Sequence, residues 1–454
     1  MEKINHFTEG SIIKPLLKFT IPVVFALLLQ IMYGAVDLIV VGKFGTVGDV
    51  SGVTTGSQLM STLTNLFTGL AMGTTILLGQ KIGQKKQEEA GDIVGSGICL
   101  FAAMAVIGTI VMLLCNGPLV SLMQAPPEAL EQTASYVFIC SCGIVFIIAY
   151  NVLGSVFRGI GDSKTPLIAV AIACAANVIG DLILVWGFKM GASGAAIATV
   201  AAQGLSVVLS LLMLRRRKLP FAFSLSSIRF NWLHIGRIIK LGTPIAMQSV
   251  LVSISFLAVT AIVNVLGVVP SAAVGVSEKL SGFIMLIPLA FMQSMSAFVA
   301  QNFGARRLDR AKKAMGYGML ISFIFGAIMA YVSFFHGDFL AWLFNKDPEV
   351  IAATALYMKA YAFDTVLVPF LFCFTGFFNG CGRTSFVMAQ AIIGSIGIRI
   401  PLSYLFSRGT EVSLFRVGLA TPSSTAVQIT LCLIYFIILN RRLRRRSTAR
   451  LGEK

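Results

Sequence analysis

The sequence is poor in charge and in histidine, and these two shortages exclude several classes of protein. Asp, Glu, Lys and Arg make up 12% of the 454 residues, about half the share that a soluble globular domain carries. The three histidines, His6, His234 and His336, share no spacing with acids or cysteines. The eight cysteines show no spacing typical of a metal site. We therefore expect them to pack as small apolar side chains. Neither a soluble domain nor a structural metal site is expected.

The chain also lacks the motifs of nucleotide binding and of catalysis. The glycine-rich stretches FRGIGDSKTP (157–166) and FNGCGRTSF (378–386) contain no GK[ST], so they indicate tight turns rather than phosphate loops. The sequence has no HExxH motif, and no histidine pairs with an acid. We therefore expect neither an enzyme nor an ATP-driven pump, and no cofactor.

Apolar sequence is what the chain has in abundance. Hydrophobic residues make up 56% of it, and its mean hydropathy is +0.86. About 20 apolar residues are enough to cross a bilayer, and breaks at Gly, Pro and charge clusters separate twelve such runs. We predict an all-α polytopic membrane protein with twelve transmembrane helices. The runs cover residues 15–43, 50–80, 92–115, 133–157, 166–188, 192–214, 237–266, 272–301, 314–336, 354–378, 386–407 and 415–440.

The distribution of basic residues predicts the orientation of these runs. The net charge is +17, and 28 of the 36 Lys and Arg residues fall at the two termini and in every second loop. By the positive-inside rule, both termini are therefore cytoplasmic. The basic tail from Arg441 onward suits contact with anionic membrane lipids. Because the charge is spread over many loops without interleaved aromatic residues, nucleic acid is not an expected partner.

An internal repeat divides the chain into two similar halves. At a shift of about 221 residues, GQKIGQKKQEEA (79–90) aligns with AQNFGARRLDRA (300–311). At the same shift, VFRGIGDSKT (156–165) aligns with FFNGCGRTSF (377–386). Six runs in each copy place both copies in the membrane with the same topology, which is typical of transporters built from two pseudo-symmetric bundles. The predicted domains are an amino-terminal six-helix lobe (1–217), a basic linker (218–236) and a carboxy-terminal six-helix lobe with a basic tail (237–454).

The first run contains an acid, Asp37, well inside its apolar sequence. A charged carboxylate there costs at least a few kcal/mol unless it has a partner. Gln30, Tyr33 and Asp37 share one face of the predicted helix. Pro22 lies near the start of the run, where it can bend the helix. The alternative is an acid near a helix end that reaches water by itself.

The fifth and sixth runs supply further oxygen-bearing groups. Asp181 is a second buried acid, and Asn177 lies one turn before it on the same face. In the sixth run Thr199 offers a hydroxyl and Ala195, one turn earlier, a carbonyl. Such a set can form an oxygen-only Na⁺ site or share a proton between the carboxylates. Alternatively, Asn177 and Asp181 merely bond neighbouring helices. The second copy has no acid at the positions equivalent to Asp37 and Asp181, so the acids are not part of the shared fold.

Over nearly its whole length the chain resembles the multidrug and toxic compound extrusion (MATE) transporters, especially their DinF-like and archaeal branch. The resemblance rests on PVVFALLLQIMYGAVDLIVVGKFG (22–45), FRGIGDSKTP, and NVIGDLILVWG (177–187) followed by GASGAAIATVAAQ (191–203). It implies the V-shaped fold of the MOP flippase superfamily. It also implies a cation or proton site, with possible Na⁺, at Asp37, Asn177, Asp181 and Thr199, with Ala195 as carbonyl donor. A polar network with possible substrate contacts is implied at Gln30, Tyr33, Tyr136 and Asn151.

Two features of the resemblance leave questions open. A second asparagine, common in the family one turn after Asn151, is Gly154 here. In the second lobe the candidates are Glu278, Asp364 and Arg399, because other branches of the family use an acid in the seventh or tenth run. Equally, Glu278 with Lys279, or Asp364 with Arg399, can be structural ion pairs.

By resemblance, the expected activity is H⁺- or Na⁺-coupled antiport that exports organic, often cationic, drugs or toxic compounds. Protonation or Na⁺ binding at the acids is expected to let the first helix bend near Pro22. The expected setting is a bacterial inner membrane, with the protein acting as a monomer. The alternative is a flippase for lipid-linked oligosaccharide or a lipid II-type substrate. The acidic first lobe and the count of only twelve runs favour the antiporter.

Overall fold

The computed structural model describes residues 7–123, 126–216, 219–408 and 413–452. Within these ranges the chain forms helices joined by short connections and contains no β-strand, which confirms the predicted all-α class. Arg217 and Lys218, at the predicted boundary between lobe and linker, lie outside the described ranges, as do both chain ends. The helices of the first half are α1 (Ile13–Phe44), α2 (Val47–Gly83), α3 (Gln87–Leu114), α4 (Asn116–Leu122), α5 (Leu130–Cys142), α6 (Ile144–Ile160), α7 (Lys164–Asp181) and α8 (Gly191–Arg216).

Two π-helical segments interrupt the α-helices, one in each half of the chain. Leu182–Gly187 follows α7 at once, and Ile393–Arg399 joins α15 to α16. The wider turn of a π-helix is often found at functional sites. The helices of the second half are α9 (Trp232–Asn264), α10 (Val268–Ile284), α11 (Leu286–Gly304), α12 (Leu308–Phe335), α13 (Gly337–Trp342), α14 (Pro348–Gly380), α15 (Thr384–Ile392), α16 (Ile400–Phe406), α17 (Leu414–Gly418) and α18 (Ala420–Gly452).

Ten helical segments in the described chain are long and apolar enough to cross a membrane. Two further spans are bent pairs: the segment ending with α5 meets α6 at 53°, and α10 meets α11 at 45°. Counting each pair as one span gives the twelve that the sequence predicts. The predicted runs 133–157 and 272–301 each contain one of these bends.

Local chemistry accounts for both bends. Gly143 separates α5 from α6, and a Cβ there would lie 2.5 Å from the side chain of Val200. Only glycine allows this close approach. Pro288 lies in the first turn of α11, where its missing N–H leaves no hydrogen bond unmade. A helix that starts afresh after Met285 therefore accommodates this proline.

The described chain divides into two compact units, whose limits differ from those of the sequence repeat. Unit 1 contains residues 1–250, 293–314 and 379–384, and unit 2 contains residues 251–292, 315–378 and 385–454. Unit 1 thus combines the first copy of the repeat with three pieces of the second: the start of α9, the end of α11 with the start of α12, and the turn after α14. The predicted lobes at 1–217 and 237–454 remain a prediction.

Small residues let the helices of unit 1 pack closely. The middle of α2 is buried on every side between Ala71 and Gly79. Gly69 and Gly73 of α2 face the start of α9, and Gly242 of α9 faces the backbone of α2 in return. No side chain could be added at these positions without displacing backbone atoms. Such contacts between small residues are how helices associate within a bilayer, where burial of apolar surface gives little drive.

One acid joins the beginnings of two helices in unit 1. Thr46 caps α2, and its backbone N–H and hydroxyl both donate to Oδ2 of Asp49. The other carboxylate oxygen, Oδ1, accepts the backbone N–H of Ala192 in the first turn of α8 at 2.9 Å. Gly191, just before it, has a φ of +53°, and a Cβ there would collide with the Asp49 carboxylate. Asp49 therefore satisfies free N–H groups at two helix starts.

The segment before α1 is bound along its backbone by side chains of the second sequence copy. Arg310 donates hydrogen bonds to the carbonyls of Phe7, Glu9, Gly10 and Ser11 at 2.6–2.8 Å. Two further donors reach the same segment: Arg307 bonds the Thr8 carbonyl and Asn302 the Phe7 carbonyl. The Phe7 ring is fully buried against Phe19 and Phe298.

Unit 2 is built around aromatic side chains of α14, α15 and α18. Phe374 and Phe377 of α14 each pack against Phe378 and against Phe436, with ring centroids 5.5–6.0 Å apart. Tyr435 stacks on Phe386 at 3.8 Å and meets Phe378 edge-on. These rings supply the apolar contact area that holds the three helices together.

We predict that Asp49→Ala lowers the free energy of unfolding by about 1–3 kcal/mol, because two helix starts lose their acceptor. Thermal unfolding of the detergent-purified protein measures this loss. Glu131→Ala is the matched control, since Glu131 is an exposed acid on α5 with no side-chain hydrogen bond among the described residues. Equal stability of the two variants would contradict the role given to Asp49.

Candidate cation site and its polar network

Two buried carboxylates lie close to each other inside unit 1, and most of their oxygens have no hydrogen-bond donor among the described residues. Asp37 of α1 is 3% exposed, and Asp181, the last residue of α7, is fully buried. The two groups are close enough to interact electrostatically. Oδ1 of Asp37 and both oxygens of Asp181 have no hydrogen-bond partner among the described residues. Carboxylates buried in this way need a proton or a cation, because neither can donate to the other when both are charged.

Thr199 and Tyr33 complete one side of this pair. The Thr199 hydroxyl donates to Oδ2 of Asp37 at 3.1 Å. The Tyr33 hydroxyl donates to the Thr199 carbonyl at 3.0 Å. The backbone and side chain of one α8 residue thus bond two α1 side chains that lie one turn apart. The sequence had predicted that Tyr33 and Asp37 share a face, and their common partner agrees with that.

Asn177 and Ala195 are the remaining members of the predicted site. Asn177 lies one turn before Asp181 on α7 and is fully buried, and neither its amide oxygen nor its amide nitrogen has a hydrogen-bond partner in the part of the chain that is described. Its amide is therefore free to coordinate or to bond a protonated acid. Ala195 is also fully buried, one turn before Thr199 on α8. Its role as carbonyl donor stays a prediction.

The donor set fits either of the two predicted occupants. No cluster of three or more His, Cys, Asp or Glu side chains capable of holding a metal occurs among the described residues. The groups that do meet here are carboxylate, amide and hydroxyl oxygens, which suit a hard cation such as Na⁺ and do not suit zinc or iron. The same orphaned oxygens can hold a shared proton.

The predicted polar network divides into two separate hydrogen-bonded pairs. Gln30 donates to the hydroxyl of Tyr150 at 3.2 Å. The Asn151 oxygen accepts the hydroxyl of Thr68 at 2.7 Å, while its amide nitrogen donates to the carbonyl one turn earlier. Tyr136 is buried against Gly56 of α2. Tyr150 and Thr68 were not among the sequence candidates. Helix periodicity does not predict which residue bonds a single hydroxyl in an apolar run, as for Thr68. Tyr150 could have been proposed because it is adjacent to Asn151 in the sequence.

Gly154, at the position where the resemblance implies a second asparagine, lies beside Arg158. A Cβ at Gly154 would lie 3.3 Å from the guanidinium of Arg158, one turn further along α6. The arginine side chain therefore lies over the glycine. The Nε of Arg158 is buried and has no hydrogen-bond partner among the described residues. The positively charged Arg158 side chain therefore lies next to the position where the resemblance implies an asparagine.

Pro22, the predicted hinge, lies inside a continuous helix. α1 runs for 32 residues through Pro22 without interruption. Proline has no N–H, so the turn around it lacks one backbone hydrogen bond. A bend at this position stays a prediction.

The second-lobe candidates each have their own partner in unit 2. Asp364 accepts the Thr425 hydroxyl at 2.5 Å, and Glu278 accepts the Thr260 hydroxyl at 2.8 Å. Arg399 is 5% exposed; it donates to Ser255 at 2.8 Å and lies over the Phe256 ring at 4.3 Å. The ion pairs of the described chain include neither Asp364 with Arg399 nor Glu278 with Lys279. The alternative of direct structural ion pairs therefore finds no support here.

We predict that Asp181→Asn flattens the pH dependence of stability. In Na⁺-free buffer above about pH 4, the folded protein holds a proton between two buried carboxylates that the unfolded chain has already lost, and wild-type stability should fall by about 1.4 kcal/mol per pH unit until the folded protein loses it too. In the variant no second carboxylate can become charged beside Asp37, so the slope of stability against pH should approach zero. Thermal unfolding at a series of pH values measures both slopes.

Asp338→Asn is the control for this series, because Asp338 is an exposed acid at the start of α13. Its slope should equal that of the wild type. A wild-type slope in the Asp181→Asn variant would mean that the two carboxylates do not share a proton.

A family model and several known proteins match this chain over most of its length. The MatE family model matches residues 22–183 and 244–405. The two matched segments are offset by 222 residues, in agreement with the internal repeat. The chain is 25% identical over 440 residues to "Probable multidrug resistance protein YoeA" of Bacillus subtilis, and the match covers 94% of each chain. It is 25% identical over 397 residues to "Multidrug export protein MepA" of Staphylococcus haemolyticus, and the match covers 86% of each chain.

Solved structures agree with the fold. The structure described as "Outward-facing conformation of a multidrug resistance MATE family transporter of the MOP superfamily" has a TM-score of 0.91 at 20% identity, over 98% of this chain and 99% of that one. A Pyrococcus furiosus transporter of the MOP superfamily has a TM-score of 0.92 at 19% identity, over 98% and 99% of the two chains. The DinF-like branch stays a prediction. Because the family model matches most of both halves, the chain belongs to the MatE family of multi-pass membrane transporters.

Proposed function

We propose that this protein is an antiporter that exports organic, mainly cationic, compounds in exchange for H⁺ or Na⁺. The observation that carries the proposal is the buried pair of Asp37 and Asp181, three of whose four carboxylate oxygens have no hydrogen-bond partner among the described residues. In an apolar surrounding, such a pair binds a proton or a small cation far more readily than two separate surface acids would. Charged groups at this depth in a membrane protein commonly belong to ion pathways.

Coupling follows from the charge of the pair. When both carboxylates are ionised the pair has a charge of −2, and each proton or Na⁺ that binds removes one negative charge. The charge that attracts a cationic compound therefore falls when the coupling ion binds. Exchange requires that the ion binds the two conformations of the transporter with different affinity. We propose that the bend at Pro22 supplies this difference, because the helix carrying Asp37 is weakest at that turn.

The named relatives support the substrate class. YoeA is named as a probable multidrug resistance protein and MepA as a multidrug export protein. A MATE of the same fold has been solved in complex with MaL6. We propose that small organic molecules are likewise the substrates of this chain, and that it works as a monomer without a further cofactor.

The setting we propose is the bacterial inner membrane, with both termini in the cytoplasm. The excess of Lys and Arg in alternate loops supports this orientation. Anionic lipids on the cytoplasmic side are proposed partners of the basic tail, whose side chains beyond Arg442 lie outside the described residues.

A flippase for lipid-linked substrates is the second candidate, and one observation favours it. Arg399 is a buried cation whose Nε has no partner among the described residues, and a pyrophosphate-linked substrate would complement a positive charge. The acid pair of unit 1 does not suit such a substrate. We therefore place the antiporter first.

The test is transport of ethidium in everted vesicles, with a proton gradient and a Na⁺ gradient imposed separately. We predict uptake with one of the two gradients, and at least about a tenfold loss in Asp37→Asn and in Asp181→Asn, because neutral amides hold no exchangeable charge. Asp338→Asn should transport at the wild-type rate. Gradient-driven uptake that survives both substitutions would show that the pair is not the coupling site.

A further inference from the structure

Two reciprocal hydrogen bonds join the sequence copies within unit 1. Gln80 of α2 donates through Nε2 to the carbonyl of Gly380 at 2.9 Å. Gln301 of α11 donates through Nε2 to the carbonyl of Gly159 at 2.8 Å. In the repeat, Gln80 is equivalent to Gln301 and Gly159 to Gly380. The two bonds are therefore one interaction made twice, once in each direction, about the pseudo-symmetry axis.

Glycine makes the same two helices meet at their backbones. Gly83 of α2 lies against the carbonyl of Gln301, and the equivalent Gly304 of α11 lies against the carbonyl of Gln80. A Cβ at either glycine would overlap the facing carbonyl group. The helices α2 and α11 therefore cross as closely as backbones allow, and any side chain at these positions would push them apart.

The turns beside this crossing also match in the two copies. Two residues after the end of each helix comes a left-handed residue that is not glycine, Lys85 at φ 59° and Arg306 at φ 58°. The turns that present the accepting carbonyls contain Gly161 at φ +84° and Gly382 at φ +72°. Positive φ at these glycines closes the turn after the carbonyl that each glutamine reaches.

These contacts lie beside the strongly basic turns that we propose face the cytoplasm. We call this set of contacts the glutamine clasp. It consists of Gln80, Gly83, Gln301, Gly304 and the turns at Gly159 and Gly380. Every member joins a part of the first copy to a part of the second. A transporter made of two related bundles exposes its binding site alternately to each side by moving the bundles relative to each other. Contacts that join the copies at one end must then break whenever that end opens.

We propose that the glutamine clasp is the gate of this transporter on the basic, cytoplasmic end, and that Gln80 and Gln301 set the fraction of time it is closed. The proposal rests on the proposed transport function. The bonds suit this use because a neutral amide–carbonyl hydrogen bond is individually weak. Two such bonds bias a two-state equilibrium without locking it, and a substrate or coupling ion can reverse the bias.

A native reporter for the gate lies within the clasp. Cys381 stands between Gly380 and Gly382, and its free thiol is buried. Maleimide labelling of a buried thiol follows the population of the open form when closing is faster than labelling. Mass spectrometry of the Cys381 peptide gives the rate at this site in the full chain. Cys373, fully buried in unit 2, is the internal reference.

We predict that Gln80→Leu and Gln301→Leu each raise the Cys381 labelling rate about fivefold, and that the double variant raises it about 25-fold, since each removes one bond of ordinary strength. Gln58→Leu, on an exposed position of the same helix α2, should label as the wild type does. Where the double variant does not fold, the two single variants decide the matter. Wild-type labelling in both single variants would overturn the gate.

The glycines provide a second, independent pair of variants. Gly304→Ala places a methyl group against the Gln80 carbonyl and should raise Cys381 labelling. Gly316→Ala, where no atom lies within 4 Å of the added Cβ, should not. Equal labelling in the two variants would contradict the proposal, because α2 and α11 could then be pushed apart at their crossing without exposing Cys381.

An arm with ethidium separates failure of the gate from failure of the proposed function. We expect ethidium to change the Cys381 labelling rate in the wild type. If the Leu variants label faster while ethidium has no effect, the gate stands and export of organic cations is wrong. If ethidium changes the wild-type rate while the Leu variants label as the wild type does, the clasp is not the gate.

Discussion

The buried carboxylates of Asp37 and Asp181 impose the strongest constraint on this protein. Neither can be left charged beside the other in an apolar surrounding, and neither is neutralised by a basic side chain within the described residues. Among the described residues, Thr199 supplies the one hydrogen-bond donor to the pair, and it reaches only Oδ2 of Asp37. The other three carboxylate oxygens have no hydrogen-bond partner in that part of the chain. We propose that an occupant that binds and leaves, either a proton or Na⁺, satisfies these oxygens and couples transport to an ion gradient.

The rest of unit 1 holds the helices that carry this pair in place. Asp49 ties the start of α2 to the start of α8, which bears Thr199. Glycine contacts bring α2 against α9, and the reciprocal glutamine bonds join α2 and α11. The site itself belongs to the first copy alone, whereas the clasp uses both copies equally. In the mechanism that we propose, the repeat supplies the scaffold that moves, and the acid pair lies where the first copy departs from the repeat.

Sequence patterns predicted much of the fold because membrane spans depend on apolar length, and the repeat could be read directly. The shared face of Tyr33 and Asp37 followed from helix periodicity, and both side chains reach Thr199. The bends at Gly143 and Met285 could not be predicted, since they depend on Val200 and on the register of a new helix around Pro288. The π-helical turn after Asp181 has no local sequence signal. Thr68 and the Asp49–Ala192 bond depend on which helices become neighbours, which a single sequence does not specify.

The central claim is that a substrate cation and the coupling ion compete for the charge of one acid pair. The most direct measurement is ion release from purified protein on addition of ethidium, followed with a pH indicator in weakly buffered solution and, in parallel, with a Na⁺-selective electrode. The account predicts release of about one H⁺ or Na⁺ for each ethidium bound by the wild type. It predicts none in Asp37→Asn or Asp181→Asn. Undiminished release from both variants, or ethidium binding by the wild type with no release of either ion, would contradict it.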